Sequence, residues 1–433
     1  MPEFDVIVVG SGPGGATAAR ELAKRGQKAL ILEWGPYAPI RGAAWQAARE
    51  IIFPGKCLLL TYDLLALFRG ITTGGSSVYY YATAFDPPLA MLEKYGVNIS
   101  REIEEAKKEL PIAPLSGELM GPMARRLMAS GRDLGYDWRP LSKFIFQDKC
   151  RPRCGKCSLG CPFGAKWTAR LFVEEALERG AVLISGAKVR RVILEGKTAV
   201  GVECERDGSL ERAFAPKVII SAGGIGTPLI LRRTGIKNAG YNFFFDPLIV
   251  VMGEGRDIRG GREVPMAGGL NMAEEGFMMT DMTVPPLLYA ALAAEVFRLD
   301  RLLAHPGTLT VMIKIKDDLG GRLTDGGGVR KRLTKEDQAK LRQGYERARA
   351  VLKNAGAGNI FKSWYLASHP GGTAKINDVV DRDLETEFDN LYVCDCSVIP
   401  ESWGLPPTLT LIGLGKRLAR HVTRNQAQSP GAI

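Results

Sequence analysis

Four of the eight cysteines fall within 12 residues of the sequence, where they could act together as metal ligands. Cys150, Cys154, Cys157 and Cys161 have the spacing C-x3-C-x2-C-x3-C, and Pro162 follows the last of them. Thiolates at such short spacings can converge on one metal centre, and the last three cysteines with the proline match the spacing of bacterial ferredoxins. The pattern therefore predicts an iron–sulfur cluster, with a structural zinc site and local disulfides as the alternatives.

The residues around the four cysteines favour the same interpretation. Gly155 and Gly160 permit the tight backbone that converging thiolates need. Positive charge near a thiolate favours its ionised form and offsets the negative charge of a bound cluster. We expect this role of the flanking basic side chains, namely Lys149, Arg151, Arg153 and Lys156. A 4Fe–4S cluster bound by all four cysteines is favoured over a 3Fe–4S cluster bound by three.

Histidine is the side chain best suited to general-base catalysis near neutral pH, and this chain contains three histidines. His305 and His369 each precede a Pro-Gly pair. His421 lies in the last turn of a predicted helix, where a basic side chain interacts favourably with the helix dipole. We therefore expect a structural role for His421 and look for the base elsewhere.

A βαβ unit at the start of the chain indicates a nucleotide-binding fold. Residues 4–9 form an apolar run typical of a buried parallel strand. Residues 16–26 predict a helix that ends at a glycine, and residues 27–33 predict the second strand.

The turn between the first strand and the helix has the sequence Gly10-x-Gly12-x-x-Gly15. Glycines at these positions allow a tight turn, a close approach of the backbone to a pyrophosphate, and close packing of helix on strand. Glu33 ends the second strand, where a carboxylate can accept hydrogen bonds from ribose hydroxyls. These residues predict a dinucleotide site but do not distinguish FAD from NAD.

Sequence periodicity predicts the remaining elements. They are a helix over 169–179, several strands over 181–221, short strands over 240–315, a charged helix over 334–354, a strand over 391–395 and a helix over 406–422. The Met- and Phe-rich region 244–297 suggests an apolar substrate pocket, although such stretches are more often core. We expect residues 426–433 to be a disordered tail.

Composition favours a basic protein without a membrane span. Lys and Arg total 58 against 47 Asp and Glu, a formal net charge of +11, and we find no nucleic-acid-binding module. An acidic electron-transfer partner is a weaker interpretation of the charge. The apolar stretches 51–68 and 284–297 are interrupted by Pro or charge, so core or pocket wall is favoured over a membrane-surface patch. With a strand beginning near Phe4, we expect no signal peptide and a cytoplasmic location.

Segments spread over most of the chain resemble one family. They are GGSS at 74–77, SAGGIGTPLILRRTGI at 221–236, DDLGGRLTDGG at 317–327, SHPGGTAKI at 368–376 and the stretch from NLYVCDCSVIP to KRLARHV at 390–422. In their order they resemble the glucose–methanol–choline (GMC) flavoprotein oxidoreductases, from residue 4 to about 422. The stretch CGKCSLGCPFGAK is similar to the cysteine-rich segment of those GMC dehydrogenases that hold an iron–sulfur cluster.

The resemblance implies an α/β fold with a discontinuous Rossmann-like FAD-binding domain and a smaller α+β substrate domain. We place the FAD-binding domain at 1–235 with the cysteine segment 148–168 inserted, the substrate domain at 236–375, and a return to the FAD-binding domain at 376–433. The chain is short for the family, so we expect a trimmed substrate domain.

The resemblance also implies that discontinuous segments bind one FAD. The glycine turn would hold the pyrophosphate, Glu33 the adenosine ribose and Asp395 the central region, while the GGSS segment would lie along the pyrophosphate and flavin. The full set of expected contacts is Gly10, Ser11, Gly12, Pro13, Gly14, Gly15, Glu33, Trp34, Gly74, Gly75, Ser76, Ser77, Val189, Ala222, Asp395, Cys396, Pro407 and Thr408. Val189 would contact the adenine through its backbone. The N-terminus of the last helix would face the flavin, where its dipole stabilises the anionic reduced form.

His369 matches the family's catalytic base, which takes the hydroxyl proton as hydride moves to the flavin. The chain departs from the family at Pro406, which stands where a second polar catalytic residue is usual. Tyr80 similarly stands in place of the family's asparagine after GGSS. The missing partner is absent or is supplied by another side chain, for which the candidates are Tyr79, Tyr80, Trp364, Tyr365 and Ser402.

The leading hypothesis is a dehydrogenase that transfers hydride from a CH–OH substrate to FAD and passes electrons through the cluster to an external acceptor, either a ferredoxin-like protein or a quinone-linked carrier. A reductase of a polarised double bond, or a redox-neutral flavoenzyme, is the second hypothesis, because Pro406 removes an expected catalytic group. The third is an electron-transfer subunit that acts on no substrate.

Overall fold

Helices and strands alternate along the chain in an α/β arrangement. The computed structural model describes residues 3–424. The α-helices of this part are α1 (Pro13–Ala23), α2 (Ala44–Ala47), α3 (Leu89–Lys94), α4 (Ser100–Glu109), α5 (Pro122–Asp133), α6 (Ala169–Leu177), α7 (Gly223–Thr234), α8 (Pro286–Ala294), α9 (Lys335–Asn354) and α10 (Thr408–Arg424). The helices predicted over 169–179, 334–354 and 406–422 are thus confirmed as α6, α9 and α10.

The strands divide into one parallel sheet, built from separate parts of the chain, and several mainly antiparallel sheets. They are β1 (Val6–Val9), β2 (Ala29–Glu33), β3 (Leu58–Leu60), β4 (Ala66–Phe68), β5 (Ile112–Pro114), β6 (Arg139–Pro140), β7 (Ser142–Phe144), β8 (Val182–Ser185), β9 (Lys188–Glu195), β10 (Thr198–Arg206), β11 (Ser209–Phe214), β12 (Val218–Ile220), β13 (Tyr241–Phe243), β14 (Pro247–Gly255), β15 (Gly268–Met272), β16 (Phe277–Asp281), β17 (Thr308–Ile315), β18 (Gly320–Leu323), β19 (Val329–Arg330), β20 (Ala357–Lys362), β21 (Leu366–Ala367) and β22 (Leu391–Val393).

The five-stranded parallel sheet has the order β22-β12-β1-β2-β8. In the register of β1, Ile7 pairs with Val218 on one side and Leu30 on the other. Every residue of β1 is buried and apolar, as a strand covered on both faces requires. Strand β22 comes from residues far along the chain, so the fold brings the C-terminal segment beside the N-terminal βαβ unit. The predicted βαβ start is confirmed.

A nine-stranded sheet forms the second layered unit, with the order β3-β4-β21-β14-β17-β16-β15-β6 and β20 paired to β14. Its centre is the antiparallel pair of β14 and β17, in which Leu248 lies opposite Lys314. Helix α9 packs on one face so closely that a Cβ at Gly344 would lie 2.4 Å from Ile313. The sequence predicted short strands here, but β14 has nine residues and β17 has eight.

The structure also bears on the apolar stretches. No helix within residues 3–424 is long and apolar enough to cross a membrane. The stretch 51–68 mixes buried Leu65 and Leu67 with Phe53 and Leu64, which are 54% and 66% exposed, so its interpretation as core was only partly right. The predicted tail at 426–433 lies outside the described residues. The α/β fold class is confirmed, and the domain boundaries stay a prediction.

Candidate active site

The turn after β1 is built for a ligand that approaches the backbone. Gly10 has φ of +95°, and a Cβ there would lie 2.2 Å from the Ser221 carbonyl oxygen. A Cβ at Gly14 would lie 2.0 Å from the carbonyl oxygen of Cys394, so this glycine is needed for packing. At Gly12, in contrast, a Cβ would meet no atom within 4 Å. The loop therefore leaves open space at the N-terminus of α1, where backbone N–H groups attract phosphate.

Ser11 connects this loop to Glu33 and to the GGSS segment. Its hydroxyl donates to Glu33 Oε2 at 2.6 Å and accepts from the Gly74 N–H at 3.0 Å. Glu33 Oε2 also accepts from the Ser11 N–H, and Oε1 accepts from the Gly35 N–H. Burial raises the pKa of Glu33, and these hydrogen bonds oppose the shift. The structure thus brings together the glycine turn, Glu33 and the segment 74–77.

The predicted adenosine contacts lie beside this group. Val189 is buried on β9 and pairs with Cys204 of β10. The Trp34 ring follows β2 and has the ammonium groups of Lys188 and Lys56 at 4.2 and 5.1 Å from its centroid. Contact of these residues with a cofactor stays a prediction.

Asp395 connects the end of β22 to the start of α7. Its carboxylate accepts from the backbone N–H of Gly223 at 2.8 Å, from the Thr227 hydroxyl, and from the Ser397 N–H at 2.8 Å. Burial raises the pKa of Asp395, opposed by these donors. Ala222 precedes α7, and its N–H donates to the same Thr227 hydroxyl at 3.0 Å.

Helix α10 begins with buried residues after two prolines. Pro407 accepts the first backbone hydrogen bond from Leu411 at 3.0 Å, and Thr408 is 7% exposed. A Cβ at Gly415 would lie 2.8 Å from the Gly14 carbonyl oxygen, so α10 packs directly on the start of α1. The middle of the last helix is therefore fixed against the glycine turn, and the contact of its N-terminus with a flavin stays a prediction.

His369 lies next to the Asp395 turn, in a left-handed backbone conformation with φ of +53°. The Cys396 thiol lies 3.7 Å from the His369 carbonyl oxygen. The imidazole Nδ1 has three polar neighbours, each at 3.3 Å: Asp246 Oδ2, Lys314 Nζ and Ser368 Oγ. Nε2 has no hydrogen-bond partner within residues 3–424, and 28% of the side chain is exposed. This nitrogen is the one free to accept a proton.

A buried ion pair lies behind His369. Asp246 Oδ2 and Lys314 Nζ are 3.2 Å apart, and the two side chains are 1% and 2% exposed. A second buried pair, Asp317 with Lys331 at 3.0 Å, adjoins it, because Asp317 accepts from the Asp246 N–H at 3.1 Å. Burial raises the pKa of Asp317 to about 6, against the lowering effect of Lys331.

The sequence analysis missed both members of the pair beside His369. A signal exists for each, because Lys314 is the one charge in TLTVMIKI and Asp246 the one charge in FFFDPLIVV. Each looks like a charge isolated in an apolar strand. The fold shows that they meet, because β14 pairs with β17 and the segment that carries His369 lies beside both residues.

None of the five candidates for the second catalytic residue forms a hydrogen bond with His369 in the part of the chain that the structure describes. Tyr79 donates to Glu50 at 2.7 Å and Tyr80 to the Trp167 carbonyl at 2.8 Å. Trp364 and Tyr365 pack on each other, with ring centroids 5.1 Å apart. Ser402 lies nearest in the hydrogen-bond network, because its hydroxyl donates to Asp317 at 3.3 Å.

The other two histidines have structural contacts. Buried His305 places Nε2 2.8 Å from the Val284 carbonyl oxygen and packs edge-on against Tyr289. His421 lies in the last turn of α10, with Nδ1 3.7 Å from Asp383. Both side chains therefore have protein partners, and the assignment of the base to His369 stays a prediction.

The four predicted metal-binding cysteines line one narrow cavity of about 10 Å³, which is also lined by Tyr81 and Lys166. Within residues 3–424, no three His, Cys, Asp or Glu side chains lie close enough to share one metal ion. The thiols converge, but not to the spacing of a single-ion site.

The electrostatics of this cavity correct one expectation. Burial raises the pKa of Cys150 to about 12 and that of Cys157 to about 11. The cations that oppose the shift at Cys157 are Lys166 and Lys143, rather than the four flanking basic residues that the sequence suggested. Lys149, Arg151 and Arg153 are exposed, where solvent screens their charge, and half-buried Lys156 donates to the Gly42 carbonyl oxygen at 2.9 Å.

Lys143 and Lys166 are buried and bonded to neutral oxygens. Lys166 Nζ donates to the carbonyls of Val78 and Cys157 at 2.7 Å and of Tyr80 at 3.0 Å. Lys143 Nζ donates to the Thr83 hydroxyl and to the carbonyls of Pro265 and Met266, at 2.9 to 3.2 Å. Burial lowers the pKa of Lys143 to about 7 and that of Lys166 to about 8. Lys166 therefore ties the cysteine loop to the segment that follows GGSS.

Known protein structures share this fold. Pyridoxine 4-oxidase from Mesorbium loti superposes with a TM-score of 0.75 at 17% identity, covering 98% of this chain and 99% of the other. A variant of formate oxidase from Aspergillus oryzae gives 0.73 at 16% identity, covering 98% of each chain.

Sequence relatives extend over nearly the whole chain. A protein of Methanocaldococcus jannaschii is 28% identical, over 97% of this chain and 100% of its own length. A GMC-type oxidoreductase of Mycobacterium tuberculosis is 27% identical, over 96% of this chain and 75% of its own length. A long-chain-alcohol oxidase of Arabidopsis thaliana is 25% identical, over 94% of this chain and 65% of its own length.

The family model of the N-terminal part of the GMC oxidoreductases matches residues 5–249, and the model of the C-terminal part matches residues 329–415. Together they span the glycine turn, Glu33, the GGSS segment, His369 and Asp395. The chain therefore belongs to the GMC oxidoreductase family and is an FAD-dependent oxidoreductase.

Proposed function

We propose that this enzyme is a dehydrogenase that oxidises the CH–OH group of a small apolar alcohol and delivers the electrons, through an iron–sulfur cluster, to an external acceptor. The observation that supports oxidation most directly is the contact of His369 with the turn that carries Asp395 and Cys396. It sets a histidine with a free Nε2 beside residues that we expect to contact FAD. Similarity to a long-chain-alcohol oxidase and to pyridoxine 4-oxidase favours alcohols as the substrate class.

The residues fit FAD. Open space at Gly12 suits the pyrophosphate, Glu33 and Val189 suit the adenosine, Asp395 the central region, and the start of α10 at Thr408 the flavin. Bound FAD supplies the acceptor for the hydride that leaves the substrate carbon. His369 accepts the hydroxyl proton at Nε2, so that the substrate becomes a carbonyl compound with the loss of one hydride and one proton.

The charges around the cysteine cavity favour a bound anionic cluster over a cavity without one. Lys143 and Lys166 are buried, and their hydrogen bonds go to neutral oxygens. The buried carboxylate of Asp281 lies near enough to act on Lys143, whereas no carboxylate acts on Lys166, and a buried ammonium group without a counter-charge is costly. Four thiolates with iron and sulfide carry negative charge and would compensate both lysines. Such a cluster supplies one-electron exchange, which suits a dehydrogenase because an oxidase gives its electrons directly to oxygen.

The surface near the cysteines fits an acceptor with acidic groups. Exposed basic side chains on the cysteine loop are Lys149, Arg151 and Arg153. Arg262, also exposed, belongs to a loop whose backbone carbonyl accepts from the Gly155 N–H at 3.0 Å. Positive charge at this rim favours association with an acidic one-electron carrier such as a ferredoxin-like protein.

The test is chemical analysis of the protein purified without oxygen. We expect one bound FAD with about four iron and about four acid-labile sulfide per chain, as a 4Fe–4S cluster requires, and bleaching of the flavin absorbance when a primary alcohol is added. Cys157→Ser should lose the iron, whereas Cys204→Ser, which removes a buried cysteine of β10, should keep it. Zinc in place of iron would contradict the cluster while leaving alcohol oxidation intact.

Pro406 favours one alternative, because it places no polar group where the family has one. The enzyme would then reduce a polarised double bond or catalyse a redox-neutral reaction. Two rates distinguish the alternatives: reoxidation of the reduced flavin by enones or aromatic substrates, and reduction of the oxidised flavin by alcohols. A faster first rate would favour this alternative over dehydrogenation.

A further inference from the structure

We propose that Asp246 and Lys314 are positioning residues for His369, and that their opposite charges act on the imidazole in opposite directions. Asp246 accepts the Nδ1 proton and so leaves Nε2 unprotonated, while Lys314 disfavours a charged imidazole before the substrate reacts. The inference rests on the proposed role of His369 as the base. It also gives a function to Asp246 and Lys314 at a site where Pro406 provides no polar side chain.

The geometry of Nδ1 distinguishes the two neighbours. A carboxylate only accepts hydrogen bonds and an ammonium only donates them, and both lie 3.3 Å from Nδ1. Lys314 is 3.2 Å from Asp246 Oδ2, so it already has an ionised acceptor for a proton. Nδ1 can then donate to Asp246 Oδ2, which selects the tautomer with an unprotonated Nε2.

The pair is needed because Asp246 is buried. Its Oδ1 is buried and receives no hydrogen bond in the described part of the chain. An ionised carboxylate in such a position requires a counter-charge, which Lys314 supplies. When Nε2 takes a proton, the imidazolium gains a carboxylate at Nδ1, so the charge that forms during reaction is met by a group already in place.

Other charged groups near His369 are committed elsewhere. From the turn after β22, Asp395 is held by Gly223, Thr227 and Ser397. From the segment after β17, Asp317 pairs with Lys331. Cys396 lies against the His369 carbonyl rather than the ring, and Ser368 adds a neutral hydroxyl at Nδ1. Asp246 and Lys314 are thus the two charges that contact the imidazole.

The pKa of His369 responds to the two neighbours in opposite directions. Desolvation and the nearby Lys314 lower it, whereas the carboxylate of Asp246 raises it. The lowered value keeps the resting imidazole neutral and able to accept a proton at neutral pH. Removing either neighbour should therefore move the titration of His369, in a direction that depends on which charge is lost.

The experiment measures that titration directly in the FAD-bound enzyme. The chain has three histidines, so protein made with isotope-labelled histidine gives three ring signals, and His369→Gln identifies the relevant one. We expect Lys314→Met to raise the titration midpoint by about one pH unit and Asp246→Asn to lower it by about one unit. The nitrogen shifts should show the proton on Nδ1 in the unchanged enzyme and on Nε2 in Asp246→Asn.

Two further variants keep the test decisive. The double change Asp246→Asn with Lys314→Met leaves no lone buried charge and should fold, with a midpoint between those of the single variants. Lys416→Met removes another lysine that is buried to a similar degree, paired with Glu21 and Glu109, and should leave the His369 signal unmoved. The proposal would be overturned if the His369 titration midpoint moved in the same direction in both single variants. It would also be overturned if the midpoint stayed unchanged in the single variants and in the double variant.

Kinetics separates this inference from the proposed function. If alcohols are substrates, the acidic limb of kcat/KM should move with the midpoint, up in Lys314→Met and down in Asp246→Asn. If the labelled histidine titrates as expected and no alcohol is oxidised, the positioning role stands and the proposed function fails. A profile that stays fixed while the signal moves would overturn the role of His369 as base.

Discussion

The histidine site and the cysteine site both contain buried charge, but they compensate it differently. At His369 the two buried charges, Asp246 and Lys314, pair with each other at 3.2 Å and also contact the imidazole. At the cysteine cavity the buried ammonium groups of Lys143 and Lys166 bond to backbone carbonyls and one hydroxyl. Asp246 and Lys314 therefore compensate each other within the protein, whereas Lys166 carries positive charge that a bound anion would compensate.

This difference separates two ways of building a redox site. A base must be ready before substrate arrives, so its tautomer and charge are set by side chains. A cluster carries its own charge, so the protein need only leave space and provide cations that become favourable once it binds. Changes at the histidine site should therefore affect rates in the loaded enzyme, and changes at the cysteine site should affect what is bound.

The largest effect is expected at His369. His369→Ala removes the group that takes the hydroxyl proton, and should lower kcat/KM for alcohols by about 10²- to 10⁴-fold while FAD and iron stay bound. Stopped-flow bleaching of the flavin measures the step. His421→Ala is the matched control, because that side chain lies at the far end of α10, and its rate should stay near that of the unchanged enzyme. Equal rates in both variants would instead favour the electron-transfer subunit.

The next effect tests whether the two sites act independently. Cys157→Ser should lose the cluster absorbance and the reduction of one-electron acceptors, because one of the thiols that line the cavity is gone. Flavin bleaching by substrate should continue, because His369 and its ion pair are untouched. Iron analysis and anaerobic spectra check both halves. Loss of substrate bleaching along with the iron would show that the sites are not separable.

A smaller effect concerns the second ion pair behind His369. The pKa of Asp317 is raised from 3.8 to about 6 by burial, so the folded state binds a proton more tightly than the unfolded state does. The stability gained from this proton is fully present below about pH 4 and is lost as pH rises through about 6. By the pKa difference it amounts to at most about 3 kcal/mol.

Denaturant unfolding of the unchanged protein and of Asp317→Asn at several pH values isolates this contribution. The variant lacks the titrating group, so its stability should fall less between pH 4 and 7 than that of the unchanged protein. Parallel pH curves for the two proteins would mean that Asp317 titrates normally, and that the histidine site is less desolvated than its burial indicates.

Local sequence patterns predicted the cofactor half of the molecule well. The apolar run of β1, the glycine turn and Glu33 are set by neighbours in sequence, and the structure forms them as expected. The strands β14 and β17 were underestimated because glycine and methionine interrupt the apolar, β-branched pattern that marks a strand.

The charges that distinguish the two sites could not be predicted, because their partners are remote. Lys314 and Asp246 are 68 residues apart in sequence and meet through strand register. Lys143 and Lys166 are held by backbone carbonyls, which leave no signature in the residue types. The flanking basic residues of the cysteine loop were the cations visible in the sequence, but Lys149, Arg151 and Arg153 are exposed and Lys156 donates to the Gly42 carbonyl oxygen.

Those surface residues give the smallest expected effect, and it concerns the acceptor rather than the cluster. Reversing the charge of Lys149, Arg151 and Arg153 should leave iron content and flavin bleaching unchanged, because these side chains are exposed rather than buried beside the thiols. Electron transfer to an acidic ferredoxin should slow by about tenfold at low ionic strength, because positive charge steers the encounter. The difference should disappear in high salt, where the Debye length becomes shorter than the separation of the surfaces.

The matched control reverses the charge of three exposed residues that do not line the cysteine cavity, namely Lys108, Arg322 and Arg342. It changes the net charge equally, so a general effect of charge would slow both proteins to the same extent. Slowing confined to the cysteine-loop variant would place the acceptor at the open rim of the cysteine site. Equal slowing of electron transfer in both variants would mean that the positive surface serves solubility alone. The histidine site and the cysteine site would then differ in how their buried charge is compensated, but not in access to a partner.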